Sequence, residues 1–412
     1  MKPLAKATLS LGVLLFTASA AFADCGIASG SVRLLSNDFD ALRVIATAMQ
    51  DCANDKVKIT KNQTAEHKNL QVPALTVNPA EYSIAFVANN SIVPLLNGGL
   101  IRPLDDLVAK YGQDLQPNQL IKIDGKVMAV AFMANSQHLF YRKDLLDKAG
   151  LKAPVSYEDV LAAAKVLQDK GIIKYPLGAS NKAGWDLAAE FVNMYLGYGG
   201  EFFKKGSAEP AIKGEKGMAT LKMMKDMTAF MDPDFMTYDA TELKNVYVGN
   251  KIAIMNEWGS LAGAVLDPKN SSAELVQNTV LAGAPTVGGG TTPSVALWWD
   301  GFAIAKNISD EDAEASFRAA VHGIRTEVAL ANPNAATWLV KGYKPGAGAV
   351  GVLATAVNHA RPYPMQPYMG LLHTALGTEL ADFMKGSKTA EKTLADVEAS
   401  YSAAAKEGGF LK

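Results

Sequence analysis

The chain of 412 residues is poor in the residues that metal and redox chemistry need, with two cysteines and five histidines. The histidines, at 67, 138, 322, 359 and 373, form no i, i+4 pair and have no cysteine neighbours at zinc spacing, so no metal site is expected. The G-x-S-x-G elbow and the Gly-Lys-Ser/Thr phosphate loop are absent, which removes the common hydrolase and nucleotidase signatures. No charge of one sign dominates. With 40 basic against 41 acidic residues, the chain lacks the cationic surplus that nucleic acid binding relies on. Repeats, low-complexity tracts and long charge runs are missing too, so function must come from scattered residues.

One motif has to be weighed. Gly346-Ala347-Gly348-Ala349-Val350-Gly351 fits the dinucleotide pattern G-x-G-x-x-G, but it follows Lys344-Pro345 in a loop and meets no acidic residue before Glu379. That pattern needs a preceding strand and an acid about 20 positions on, so the segment reads as a glycine turn and no cofactor is expected.

At the start, Lys2 and Lys6 precede an apolar stretch from Ala7 to Phe16, and Ala21-Phe22-Ala23 closes it. This is the order of a secretory leader, with cleavage expected after Ala23, and the apolar run is too short to cross about 30 Å of hydrocarbon. Removing residues 1–23 takes two lysines and no acid, moving the formal charge from -1 to -3. Export to the periplasm makes pairing of Cys25 with Cys52 the expected state, tying the new N-terminus to the end of the first helix. A lipid-modified Cys25 is the weaker alternative, because Asp24 stands where a small residue would be wanted.

Short apolar strands alternate with amphipathic helices, the pattern of α/β layers. Strands are expected at 32–35, 57–60, 83–87, 127–132, 139–141, 252–255, 279–282 and 302–305. Helices are expected at 40–50, 186–196, 217–231, 369–384 and 390–405. Another should open at Ser156 with Asp159 as its capping partner and close at Gly171. The polar insert Asn135-Ser136-Gln137-His138 is a candidate crossover between lobes.

Four of the five tryptophans sit beside polar residues in expected loops: Trp185 before Asp186, Trp258 after Asn256-Glu257, and Trp298-Trp299 before Asp300. An indole next to a carboxylate or amide suits a carbohydrate, whose flat C–H face stacks on the ring while its rim of hydroxyls hydrogen-bonds. For a single tryptophan a place in the core is the commoner outcome. Three such pairs in one exported chain point to a site.

The string from Phe140-Tyr141-Arg142-Lys143-Asp144-Leu145 through Lys148-Ala149-Gly150-Leu151, followed by Pro154 and Tyr157-Glu158-Asp159-Val160, resembles the signature of solute-binding proteins of carbohydrate ABC importers. These are the relatives of maltose-, trehalose- and glycerol-phosphate-binding proteins. Three further stretches agree in order and spacing: Ala88-Asn89-Asn90 to Arg102-Pro103-Leu104, Trp299-Asp300-Gly301-Phe302 to Asn307, and Ala360-Arg361-Pro362 leading to Lys385-Gly386.

The resemblance implies a type II periplasmic-binding fold, α/β, with two discontinuous lobes joined by a hinge. The first lobe would take residues 24–133 and 284–340, the second 134–283 and 341–412. It implies a monomer that closes on a small carbohydrate or polyol and delivers it to a membrane permease, with no catalysis. Matching positions give the ligand contacts as Asn37, Asp38, Asn89, Asn90, Asn135, Trp185, Trp258, Trp299 and Asp300, with Arg361 and Tyr363 as weaker candidates. Turn formation is the competing role for Asn89, Asn90 and Asn135. Val87 stands where some disaccharide binders have Trp, which favours a monosaccharide, polyol or small disaccharide. Two other functions stay open: a secreted carbohydrate-active enzyme using Glu257 and Asp300, and a polyamine-type protein holding a cation in a cage of acids and tryptophans.

Overall fold

A computed structural model describes residues 25–412; the leader expected over residues 1–23 lies outside the described residues. Twelve strands are present among them: β1 (Gly30–Ser36), β2 (Val57–Gln63), β3 (Ile84–Ala88), β4 (Leu120–Ile123), β5 (Lys126–Asn135), β6 (Gln137–Arg142), β7 (Leu177–Gly178), β8 (Ile254–Trp258), β9 (Thr279–Ala282), β10 (Ala296–Ile304), β11 (Thr337–Trp338) and β12 (Arg361–Pro362). They form two sheets. One runs β11-β5-β10-β3-β1-β2, with β4 on β5 and β12 on β10; the other runs β7-β8-β6-β9.

Each sheet is covered on both faces, which is why its central strands are apolar runs rather than alternating ones. Ile84 and Phe86 of β3 enter a core with Val32, Leu34, Phe132 and Phe302. Ala85 and Val87 point the other way, to a core with Leu75, Ile92, Ala129 and Ala303. In the second sheet Leu139 and Ile254 pack against helix Tyr157–Asp169, while Phe140 and Met255 pack against helix Ala240–Val248. The cap at Ser156 forms as expected: its side chain accepts from the Asp159 backbone N–H and Asp159 reaches back.

The chain passes between the sheets at one residue, Ser136, which separates β5 from β6. It returns between β9 and β10, and leaves again after β11. The expected boundary at residue 284 is displaced. Thr286 exchanges backbone hydrogen bonds with Val155 and Tyr157, and Ser294 packs on Gly197, so the chain stays with the second lobe until β10 begins at Ala296. β12, expected in the second lobe, pairs with β10 of the first sheet. The two terminal helices, Met369–Lys385 and Ala390–Glu407, pack with helix Trp185–Gly197 in the second lobe.

β10 also starts six residues before the strand expected at Phe302, because the Trp-Trp-Asp-Gly segment pairs with both β3 and β5 instead of looping. The glycines at 346, 348 and 351 serve packing. A Cβ on Gly351 would meet the His138 ring, one on Gly346 the Asn334 side chain, and one on Gly348 the backbone of Gly263. The His138 ring in turn stacks on Phe140 at 4.4 Å.

Cys25 and Cys52 are joined, with Cα atoms 5.4 Å apart, and Cys52 lies in the turn that directly follows helix Asp40–Met49. Among the described residues the cysteines and His322 are the one trio close enough to share a metal, and the disulfide uses both sulfurs. Replacing both cysteines by serine should lower unfolding stability by about 3.5 kcal/mol on the chain-entropy account for a separation of 27 residues. Denaturant unfolding of parent and variant, with and without reductant, checks this; equal stabilities would assign the bridge no role.

Candidate ligand cleft

The cleft lies where the two sheets exchange the chain, outside the carboxyl ends of β1 and β3, as is usual for open α/β sheets. Its volume is about 570 Å³. One wall is aromatic. The rings of Trp185 and Trp258 stack at 6.0 Å, and the Trp298 ring meets them edge-on at 5.9 and 5.6 Å. Trp185 opens helix Trp185–Gly197, Trp258 ends β8 and Trp298 lies on β10, so three elements converge on one cluster.

The rest of the lining includes polar side chains. Asn37 and Asp38 follow β1, Asn90 follows β3, and Asp300 sits at a bulge of β10. The bulge falls between Asp300 and Gly301, and a Cβ on Gly301 would come within 2.5 Å of the Val130 carbonyl oxygen, so only glycine fits. Three buried polar atoms lining the cleft have no protein partner: Asn90 Oδ1, Trp185 Nε1 and Trp298 Nε1. Unsatisfied groups of this kind are rare and call for a ligand or water.

Of the residues expected from the sequence, Asn37, Asp38, Asn90, Asn135, Trp185, Trp258 and Asp300 line this cleft. Asn135 also locks the crossing: its Oδ1 accepts from the Ser136 and Ser260 N–H groups and its Nδ2 donates to Ser260 Oγ.

Four candidates lie elsewhere. Trp299 faces away from the cleft, because alternate residues of a strand point to opposite faces and Trp298 with Asp300 take the cleft side. Asn89 extends the sheet where β3 stops, accepting from the Trp299 N–H at 3.0 Å and donating to the Leu297 carbonyl at 3.3 Å. Arg361 donates to the Gly200 carbonyl and to Glu201. Tyr363 sits behind the aromatic wall, its ring 4.2 Å from Trp298 and its hydroxyl 3.0 Å from His373 Nδ1.

Trp298, Ser260, Glu66, Lys68, Asp186 and Asp239 are among the cleft residues not anticipated as contacts. The alternation of β10 would have found Trp298. Nothing local signals Lys68, which lies on helix His67–Thr76, a helix with a proline inside it and a weak apolar face.

The cleft is acidic although the chain is nearly neutral. Five carboxylates, Asp38, Glu66, Asp186, Asp239 and Asp300, stand against the single Lys68. Asp38 is paired with Arg43 and Asp239 with Lys182. Burial pushes Asp300 up to about 7, against the pull of Lys68, and pushes Asp186 up to about 6, helped by Asp239. Burial also brings Lys68 down to about 8, resisted by Asp300 and Asp186.

Glu257 does not reach the cleft. It is fully buried, accepting from Ser180 Oγ and from the Trp258 N–H, each at 2.7 Å, and burial holds its carboxyl well above the usual range. A Glu257/Asp300 pair flanking one glycosidic bond is therefore not formed.

The sequence profile described as "Bacterial extracellular solute-binding protein" matches residues 37–321. A "Probable sugar-binding periplasmic protein" of Rhizobium meliloti (strain 1021) is 26% identical over 170 residues, covering 39% of this chain and 40% of that protein. The chain thus spans less than half the length of the curated relatives it matches. Two solved structures share the fold: an ABC transporter solute-binding protein of Agrobacterium radiobacter K84 in complex with ribitol, and one of Agrobacterium vitis S4 with bound D-mannitol. The first has a TM-score of 0.78 at 19% identity, covering 91% of this chain and 98% of that one. The second has a TM-score of 0.76 at 19% identity, covering 93% and 100%. The fold is accordingly the two-lobed, type II periplasmic-binding arrangement. By its match over residues 37–321, the chain belongs to the bacterial extracellular solute-binding protein family.

Proposed function

We propose that the protein is the periplasmic substrate-binding component of an ABC sugar importer, capturing a small carbohydrate or polyol between its lobes as a monomer and delivering it to a permease. The observation that carries this reading is the mixed lining of the cleft. Trp185, Trp258 and Trp298 offer flat apolar faces, while Asn37, Asp38, Asn90 and Asp300 offer amides and carboxylates to the same space. The two solved structures point the same way, since one holds ribitol and the other D-mannitol. A cleft of about 570 Å³ falls inside the range typical of small-molecule sites. Export through cleavage after Ala23 completes the assignment, and nucleic acid is not a partner.

The polyamine reading is disfavoured by one contact. The Trp185 face, where an aromatic cage would take its cation, already carries the Lys68 ammonium at 3.9 Å.

Thermal-shift screening of the mature protein against neutral sugars and polyols should give at least one stabilising ligand, worth about 2.7 kcal/mol at 100 times its dissociation constant. Trp258→Ala should then weaken that ligand about tenfold or more in calorimetry with its far-ultraviolet spectrum unchanged. A screen with no stabilising sugar or polyol would remove the reading.

Asp300 supplies a pH test. Its folded value, about 7, lies above that of the unfolded chain, so ionisation opposes folding increasingly as pH rises from about 4 to 7 and constantly above. Asp300→Asn should therefore match the parent's melting temperature near pH 4 and exceed it at pH 8. A constant difference across that range would place Asp300 in a solvated setting.

A further inference from the structure

The tryptophan cluster and the carboxylates of Asp186 and Asp300 form a receptor that the protein fills from within. Lys68, on helix His67–Thr76 of the first lobe, puts Nζ 3.9 Å from the ring centroid of Trp185, which opens a helix of the second lobe. Among the described residues Nζ has no hydrogen bond and no close ion pair; it is held by the ring and by the fields of Asp300 and Asp186. Tryptophan faces bordered by carboxylates are the usual receptor for an ammonium ligand, because the ring quadrupole and the acids act in the same direction. Without Lys68 this cleft would present three tryptophans and three acids outside any ion pair, Glu66, Asp186 and Asp300, a composition that recruits cations.

We propose that Lys68 is a specificity-determining residue that excludes cationic ligands from the cleft. It occupies the cation position over Trp185 with a tethered charge that no ligand can carry away. An incoming ammonium meets like charge and finds Asp300 and Asp186 already engaged. A neutral sugar or polyol meets no such repulsion, and its hydroxyl oxygens accept from the Lys68 ammonium as it leaves the ring. The proposal rests on the sugar-binding reading for its neutral ligand, but the exclusion itself is tested without any sugar.

The parent, Lys68→Met, Lys68→Gln and Lys68→Arg are titrated with tetramethylammonium chloride and read by tryptophan fluorescence, with sodium chloride at equal ionic strength as reference. Circular dichroism and a melting curve establish that each variant is folded, and the glutamine variant stands in should the methionine one fail. Lys68→Met or Lys68→Gln should bind the probe at least about tenfold more tightly than the parent, Lys68→Arg should behave as the parent, and adding Trp185→Ala should abolish the gain. Equal affinity in parent and folded charge-neutral variants overturns the proposal, as does a gain that survives Trp185→Ala. A gain of cation binding in a protein that responds to no sugar or polyol upholds the exclusion and removes the sugar reading instead, so the two fail separately.

Discussion

The structure hangs on a crossing one residue long and the amide that follows it. Ser136 alone separates β5 from β6, so the adjoining ends of these two strands are tied by nearly the shortest link a chain allows. Gln137, the first residue of β6, is buried, and every polar atom of its side chain is used. Its Oε1 accepts from Asn193 and Asn256, at 2.8 and 2.9 Å, and its Nε2 donates to Glu190 at 2.7 Å. Asn193 closes the circuit by accepting from the Ala296 N–H, where the chain re-enters the first sheet. One network thus fixes two crossings at once. Removing one member leaves the others buried without partners, which costs more than the bond itself is worth. Glu190, pushed up to about 8 by burial despite the Gln137 bond, is the member that tolerates this setting by holding its proton.

From that fixed floor the rest of the site follows. Gln137 pairs with Trp258 across β6 and β8, and Asn135 pairs with Trp298 across β5 and β10, so the two residues flanking Ser136 each align a tryptophan. The aromatic wall is therefore set by strand register rather than by loop conformation. Trp185 joins it from the start of a helix, and Tyr363 and His373 brace it from behind. A wall positioned by ladder hydrogen bonds is preorganised, so a ligand does not have to order it on binding.

The fold was legible because α/β alternation and a long ordered string of family residues agree over most of the chain. The site was legible only in part, for reasons that individual residues make plain. Trp185, Trp258 and Asp300 stand beside polar neighbours and could be seen. Trp299 is the tryptophan that the family resemblance points to; with the segment a strand, period two puts the neighbouring Trp298 in the cleft instead. Asn89 looked like a ligand contact because its real work, continuing a sheet past the end of β3, depends on a strand more than 200 residues away. Lys68 was invisible because its meaning comes from Trp185, on the other side of the cleft.

Charge shows the same limit. A formal balance near zero gives no sign of where charge collects, yet the acids gather in the cleft and the compensating cations, Arg43 and Lys182, belong to their own helix or loop. Glu66, Asp186 and Asp300 keep no ion pair of their own, and the last two share one lysine, which belongs to the lobe of Asp300 and faces Asp186 from across the cleft. A ligand can bias closure only through contacts that differ between the open and closed forms. The Lys68–Trp185 contact joins the lobes across the space that a ligand takes, so entry exchanges an internal bridge for ligand-mediated ones. The net bias toward closure is then the difference between the two sets, which makes selectivity and closure consequences of the same displaced ammonium.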